Sequence, residues 1–188
     1  FILSKKNLGV VFKPKKSSTL FNRLSDETIE LIKYAIKIRK CYLFEDYGEY
    51  QSNIPAILGA LISDLCIHTS LKAGTAAIEC ALSNKPTVII DQEGYPYSKL
   101  NELRQYDIVY DSWEALIDKI SFLLKDKKVN CNFGKWGNFV EQFDDFKDGQ
   151  GAKRMGDYIK DIIIGFDKGY DSKKVLIDAY LNCKKTYG

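Results

Sequence analysis

The chain has 188 residues and a mass of 21.5 kDa, the size of one domain, since single cores commonly hold about 100–200 residues. Its 45% hydrophobic and 13% aromatic content excludes the class of disordered chains too polar to bury a core. Lys and Arg number 28 against 25 Asp and Glu, a net charge of +3 that is too near balance for a nucleic-acid binder, and no apolar run reaches the roughly 18–20 residues of a membrane-spanning helix.

Leu8 to Phe12 is a short apolar run that ends in Lys13-Pro14-Lys15-Lys16 and reads as a buried strand entering a basic loop. Ser25, followed by Asp26 and Glu27, predicts a capped helix whose Ile29, Ile32 and Ile36 recur at helical spacing and which Arg39 and Lys40 close. Tyr42-Leu43-Phe44 is a second strand, Ile54 to Ile62 a small helix with Pro55 near its start, and Leu65 to His68 a third strand. A helix over Thr75 to Leu82 is stopped by Ser83-Asn84-Lys85-Pro86, with Asn84 suited to a left-handed cap. Thr87 to Ile90 and Ile108 to Tyr110 are further strands, and Asp111 with Glu114 predicts a capping box on the next helix.

Short, continuously apolar strands alternating with helices predict an α/β fold with one doubly wound, Rossmann-like parallel sheet covered on both faces. Two late helices, about Ala152 to Phe166 and Ser172 to Lys184, read as a C-terminal extension (about 141–188) packed across that sheet within a single domain over 1–188. The first of them carries Met155, Ile159, Ile162, Ile163 and Phe166 on one side.

The single histidine, His68, disfavours His-rich metal centres and His-based triads, and no Asp-x-Asp pair occurs. No metal and no cofactor is expected. Cys41, Cys66, Cys80, Cys131 and Cys183 form no CxxC pair, and an odd count predicts reduced thiols in a cytoplasmic protein. Cys66 and Cys80, inside apolar stretches, read as small buried hydrophobes. The chain begins at Phe1 rather than Met, so it is expected to be a piece of a longer protein.

Ligands of open parallel sheets bind at the carboxyl ends of the strands, where strand order reverses. After the third strand comes His68-Thr69-Ser70-Leu71-Lys72-Ala73-Gly74-Thr75-Ala76. Gly74 permits close backbone approach, and Thr75 and Ala76 expose N–H groups at a helix start, where the helix dipole favours a phosphate or diphosphate. Ser70 and Thr75 add hydroxyls, and Lys13, Lys15 and Lys72 add charge. Glu79, four residues beyond Thr75, shares its face of the helix, where a carboxylate can accept hydrogen bonds from a ribose diol. The plain alternatives are a tight turn at Gly74, a solvated Glu79 and a solvated lysine run. His68, at a strand end, is read first as a hydrogen-bonded structural imidazole and second as a phosphate contact or acid–base group.

The run Gly74-Thr75-Ala76-Ala77-Ile78-Glu79-Cys80-Ala81-Leu82-Ser83-Asn84-Lys85-Pro86-Thr87-Val88 resembles the donor-site helix of GT-B glycosyltransferases, especially the lipid-A-disaccharide synthase branch. Ile108 to Leu116 is similar to a strand–Asp–helix element of the same C-terminal halves. Phe12-Lys13-Pro14-Lys15 is similar to the Lys-Pro-His-Pro turn of polysaccharide-building relatives, with Lys15 where His is usual. The resemblance spans roughly residues 8–125. It implies the nucleotide-sugar half of a two-domain polysaccharide-biosynthesis transferase, inactive alone, whose partners are the donor and an N-terminal acceptor domain not in this chain. It also implies peripheral association with the cytoplasmic membrane face through the full-length protein. The donor diphosphate would rest on Gly74, Thr75 and Ala76 with help from Lys13, Lys15 or Lys72, Glu79 would hold the ribose, and the base or sugar would contact His68, Phe44, Asp46 or Tyr47. The catalytic base would come from the other half, so no catalytic residue is assigned. Two other classes compete. One is a sugar-nucleotide epimerase half. The other is a flavodoxin-like or receiver module with Asp91 as phosphoacceptor. The lack of a GxGxxG after the first strand disfavours a dehydrogenase.

Overall fold

Ser25 starts helix α1 (Asp26–Lys37) as the sequence requires: its hydroxyl accepts the Thr28 N–H at 3.3 Å, and Asp26 and Glu27 face the positive end of the helix dipole. The structure is a computed structural model and describes residues 1–45, 54–125 and 132–188. The chain divides into two compact units, Phe1–Phe143 and Asp144–Gly188.

In the first unit the strands β1 (Val10–Phe12), β2 (Cys41–Leu43), β3 (Cys66–His68), β4 (Thr87–Ile90) and β5 (Val109–Tyr110) all pair in parallel. They do not form the single doubly wound sheet that the alternation predicts. β1 pairs with β2, and β3–β4–β5 form a separate three-stranded sheet. Two features of the chain account for this correction. Strands of three residues carry few ladder bonds, and those of β1 go to the β2 side, where Val10 N–H reaches Lys40 O (2.9 Å) and Phe44 N–H reaches Phe12 O (3.0 Å). The strands are also not all sandwiched: Tyr42 in β2 and Ile67 in β3 are 58% and 40% exposed, whereas every residue of β4 is buried. Apolar runs in the sequence therefore mark true two-sided burial at β4 alone among β2, β3 and β4.

The core is built on both faces of β4. Val88 and Ile90 pack with Leu116 of α4 (Trp113–Lys125), while Ile89 packs with Ala77 and Ala81 of α3 (Thr75–Leu82) and with Leu100, Leu103 and Trp136. Each such fully buried Ile or Leu contributes about 1.5–3 kcal/mol relative to exposure. The Trp136 indole N–H donates to Thr87 O (2.9 Å), and Gly134 O accepts the Thr87 N–H (2.7 Å). Gly134 has φ +72°, and a Cβ there would stand 2.8 Å from the Thr87 nitrogen, so only glycine fits this approach.

Asn84 adopts the expected left-handed conformation (φ 58°) after α3. Asp111 does not cap α4. Ser112 takes that place, accepting the Ala115 N–H at 3.1 Å, because Asp111 is drawn instead to Arg104. Residues Lys99–Tyr106, for which the sequence predicts no element, form a 3₁₀ helix whose Leu100 and Leu103 enter the core.

The second unit is a helical hairpin of α5 (Gly151–Asp167) and α6 (Ser172–Tyr187). Asp171 caps α6 by accepting the N–H groups of Lys173 and Lys174, each at 3.1 Å. Gly165 forms the seam, since a Cβ there would lie 2.9 Å from Val175 Cγ2. Met155, Ile159, Ile163 and Phe166 are exposed.

Candidate functional site

The turn from β3 into α3 places most of the expected residues. Thr75 is the first residue of α3, and Gly74 before it supplies no side-chain cap, so the first-turn N–H groups are left to other partners. Thr75 is exposed and Ala76 half-buried. Gly74 has an ordinary negative φ of −67°, so its backbone does not demand glycine. Packing favours it instead: a Cβ at this position would overlap Leu100 Cδ1, and the buried Leu100 side chain would have to turn to make room.

Ser70 is bound into the turn, its hydroxyl accepting the Lys72 N–H at 3.2 Å. The His68 imidazole donates from Nε2 to Ala73 O at 2.9 Å, bracing the same turn, and burial pushes its pKa below the usual imidazole value. It is therefore neutral at pH 7, a brace rather than a cation. Lys72 is exposed, pairs with Glu93 Oε2 at 2.9 Å and sits 5.5 Å from the centre of the Tyr95 ring. Glu93 raises the Lys72 pKa, so the ammonium stays charged. The loop after β4 thus reaches across to the loop after β3.

Glu79 is half-buried, and its Oε1 accepts the N–H of Ile57 at 3.2 Å, in the first turn of α2 (Ala56–Leu61). Two residues on, Gly59 lies against the other sheet: a Cβ there would meet Phe44, Lys13 Cβ and Val11 at 3.5–3.9 Å. One short helix therefore touches both Glu79 and the end of β1, where the chain runs on into Lys13. Lys13 Nζ donates to Pro14 O (3.0 Å), and Lys15 is exposed. Phe44 is a core residue, only 9% exposed and edge-on to Tyr42 at 5.2 Å, so it presents no free ring face for a base; Tyr42 is the exposed ring of that pair. Asp46 and Tyr47 lie outside the described residues.

Sequence reasoning passed over a polar cluster at the carboxyl ends of β4 and β5. Asp91, 3% exposed, binds Arg104 Nη2 at 2.6 Å and accepts the Tyr95 N–H at 3.4 Å. Arg104 also pairs with Asp111 and donates from Nε to Asn101 (3.1 Å), whose amide returns to Tyr95 O (2.7 Å). An Asp directly after each of two adjacent parallel strands was the available signal. The cluster fixes the shape of the Tyr95 loop. The carboxylate that a receiver module would phosphorylate is here enclosed by an arginine.

Among the described residues no group of His, Cys, Asp and Glu is arranged to hold a metal ion, and no helix is long and apolar enough to cross a membrane. Compared with protein-family models, curated proteins and solved structures, the chain finds no match. What is established is a small α/β domain with two separate parallel sheets and flanking helices.

Proposed function

We propose that this chain is the donor-nucleotide domain of a GT-B-type glycosyltransferase that moves a sugar from a nucleoside-diphosphate carrier to a glycan or lipid acceptor. One observation carries the reading: α3 opens without a side-chain cap at the carboxyl end of a parallel strand, with a half-buried acid one turn along. Unsatisfied N–H groups and the helix dipole favour an anion at Thr75 and Ala76. Lys72 stands at the same turn and can exchange Glu93 for a phosphate oxygen, and Lys13 and Lys15 stand at the end of the neighbouring sheet. Glu79 uses one carboxylate oxygen on α2, which fixes its rotamer and leaves the second oxygen for a ribose hydroxyl.

Leaving-group charge would then be neutralised by the helix end and the lysines without a metal. Acceptor binding and the catalytic base belong to a second domain.

Calorimetric titration with the diphosphates of uridine, guanosine, adenosine, cytidine and thymidine tests this. One of them is expected to bind and to shift the amide resonances of Thr75 and Ala76, and Lys72→Ala to weaken it several-fold. No heat and no shift with any of the five overturns the proposal.

A further inference from the structure

Cys66 opens β3 and Cys80 lies in the last turns of α3, the helix that packs on that strand. The turn between α3 and β4 draws the two together. The Lys85 N–H returns to Cys80 O at 3.1 Å, and the carbonyl of the next residue, Pro86, accepts the Cys66 N–H at 2.8 Å. Cys66 and Cys80 therefore bracket one tight turn, and Cys66 pairs with Thr87, two residues before the Ile89 that packs on α3, so its side chain lies on the sheet face that α3 and its buried Cys80 cover. Cys80 is the inner member at 6% exposure, and Cys66 is half-buried.

We propose that Cys66 and Cys80 are a redox-active pair that closes to an intramolecular disulfide under a hydroperoxide and reopens with a small thiol. The surroundings give each sulfur its own part. The neighbouring Cys80 thiol and the Lys85 charge outweigh burial at Cys66 and bring its pKa down to about 7, while Cys80 is pushed strongly up and stays protonated. Cys66 is then half thiolate at neutral pH, the form that reacts. Cys41 shows the contrast, its pKa being raised by burial.

The Cys66 thiolate attacks one oxygen of the hydroperoxide, the O–O bond breaks and an alcohol leaves after taking a proton, giving a sulfenic acid at Cys66. The Cys80 sulfur then attacks the Cys66 sulfur, the S–O bond breaks, and hydroxide leaves as water with the Cys80 proton. Two thiols lose two protons and two electrons, and the hydroperoxide takes them up to become alcohol and water. The sequence reading of both residues as inert buried hydrophobes overlooks this, since neither periodicity nor spacing shows that a 14-residue separation closes on itself.

The reduced 188-residue chain is treated with hydrogen peroxide near pH 7, blocked with iodoacetamide and digested for mass spectrometry. The expected result is a loss of two hydrogens and a cross-link between the Cys66 and Cys80 peptides that dithiothreitol reverses. In Cys80→Ala, alkylation of Cys66 at pH 7 is expected to slow by roughly tenfold or more, as the thiolate loses its neighbouring thiol. The proposal falls if both thiols remain alkylatable after peroxide, if either links to a different cysteine, or if Cys66 reacts equally fast without Cys80. Should Cys80→Ala fail to fold, the cross-link in the unaltered chain decides alone.

Discussion

Leu100 occupies the space that any side chain at Gly74 would need. The glycine that reads from sequence as room for a ligand is thus first a packing residue, joining the start of α3 to the 3₁₀ helix Lys99–Tyr106 across the core. Gly74→Ala should overpack this contact and cost about 1–3 kcal/mol, whereas Leu100→Ala leaves a cavity and costs about 2–5 kcal/mol. The double variant should be more stable than the sum of the two losses implies, because the alanine methyl enters the vacated space. Urea unfolding of the three variants measures this, and strict additivity would show that the two sites do not touch.

Glu79 joins stability to binding through one carboxylate. Glu79→Ala removes the acceptor at the α2 N-terminus and should cost about 0.5–2 kcal/mol, as loss of a capping side chain does. Glu79→Gln keeps an acceptor for Ile57 N–H and should unfold within about 0.5 kcal/mol of the parent. Its amide is a weaker partner for ribose hydroxyls than a carboxylate, so nucleoside-diphosphate affinity should drop by roughly tenfold. A glutamine variant that binds as tightly as the parent would remove Glu79 from the ribose contact while leaving its structural part intact.

His68 sets a pH dependence on the same turn. Burial lowers its folded-state pKa below the 6.5 of an open imidazole, so between the two values the unfolded chain binds a proton that the folded chain does not. Stability should therefore be level above that window and fall as pH drops below about 6.5. His68→Gln, which keeps a donor for Ala73 O, should flatten this slope. Denaturant midpoints from pH 5 to 8 test the sign, and a midpoint that rises on acidification contradicts it.

The elements read best from sequence are those with strong local chemistry. Ser25 before Asp26 and Glu27, the bounds of α3 and β4, and the left-handed Asn84 all follow from caps, periodicity and breakers within a few residues. What the sequence hides is non-local. The separation of β1–β2 from β3–β4–β5 depends on which strand edges find partners, and the exposure of Tyr42 and Ile67 is not written in their hydrophobicity. At the site, the residue types at Thr75, Ala76 and Glu79 were legible as a spacing on one helix. That Leu100 packs on Gly74, that Glu79 holds Ile57, and that Arg104 spans Asp91 and Asp111 each join segments distant in the chain. Capping rules also misplace the start of α4 by one residue, because the Arg104 charge competes for Asp111 more strongly than a helix end does.

Tyr110 carries a cost that a single atom can relieve. Its hydroxyl is buried with no hydrogen-bond partner among the described residues, while its ring packs with Val88, Ile90 and Leu116 and lies 6.5 Å from Phe133. Tyr110→Phe keeps that packing and removes an orphaned polar group, so it should stabilise the fold by about 1 kcal/mol. Burial, helped by Asp107, pushes the phenol pKa up to about 12 from 10, so the unfolded chain ionises first. The contribution of Tyr110 is therefore whole below pH 10 and is lost as pH rises toward 12. The phenylalanine variant should lack that alkaline decline, and paired unfolding curves at pH 8 and pH 10.5 separate the two effects. A variant less stable than the parent at pH 8 would mean that the hydroxyl has a partner in solution, since the ring itself is unchanged.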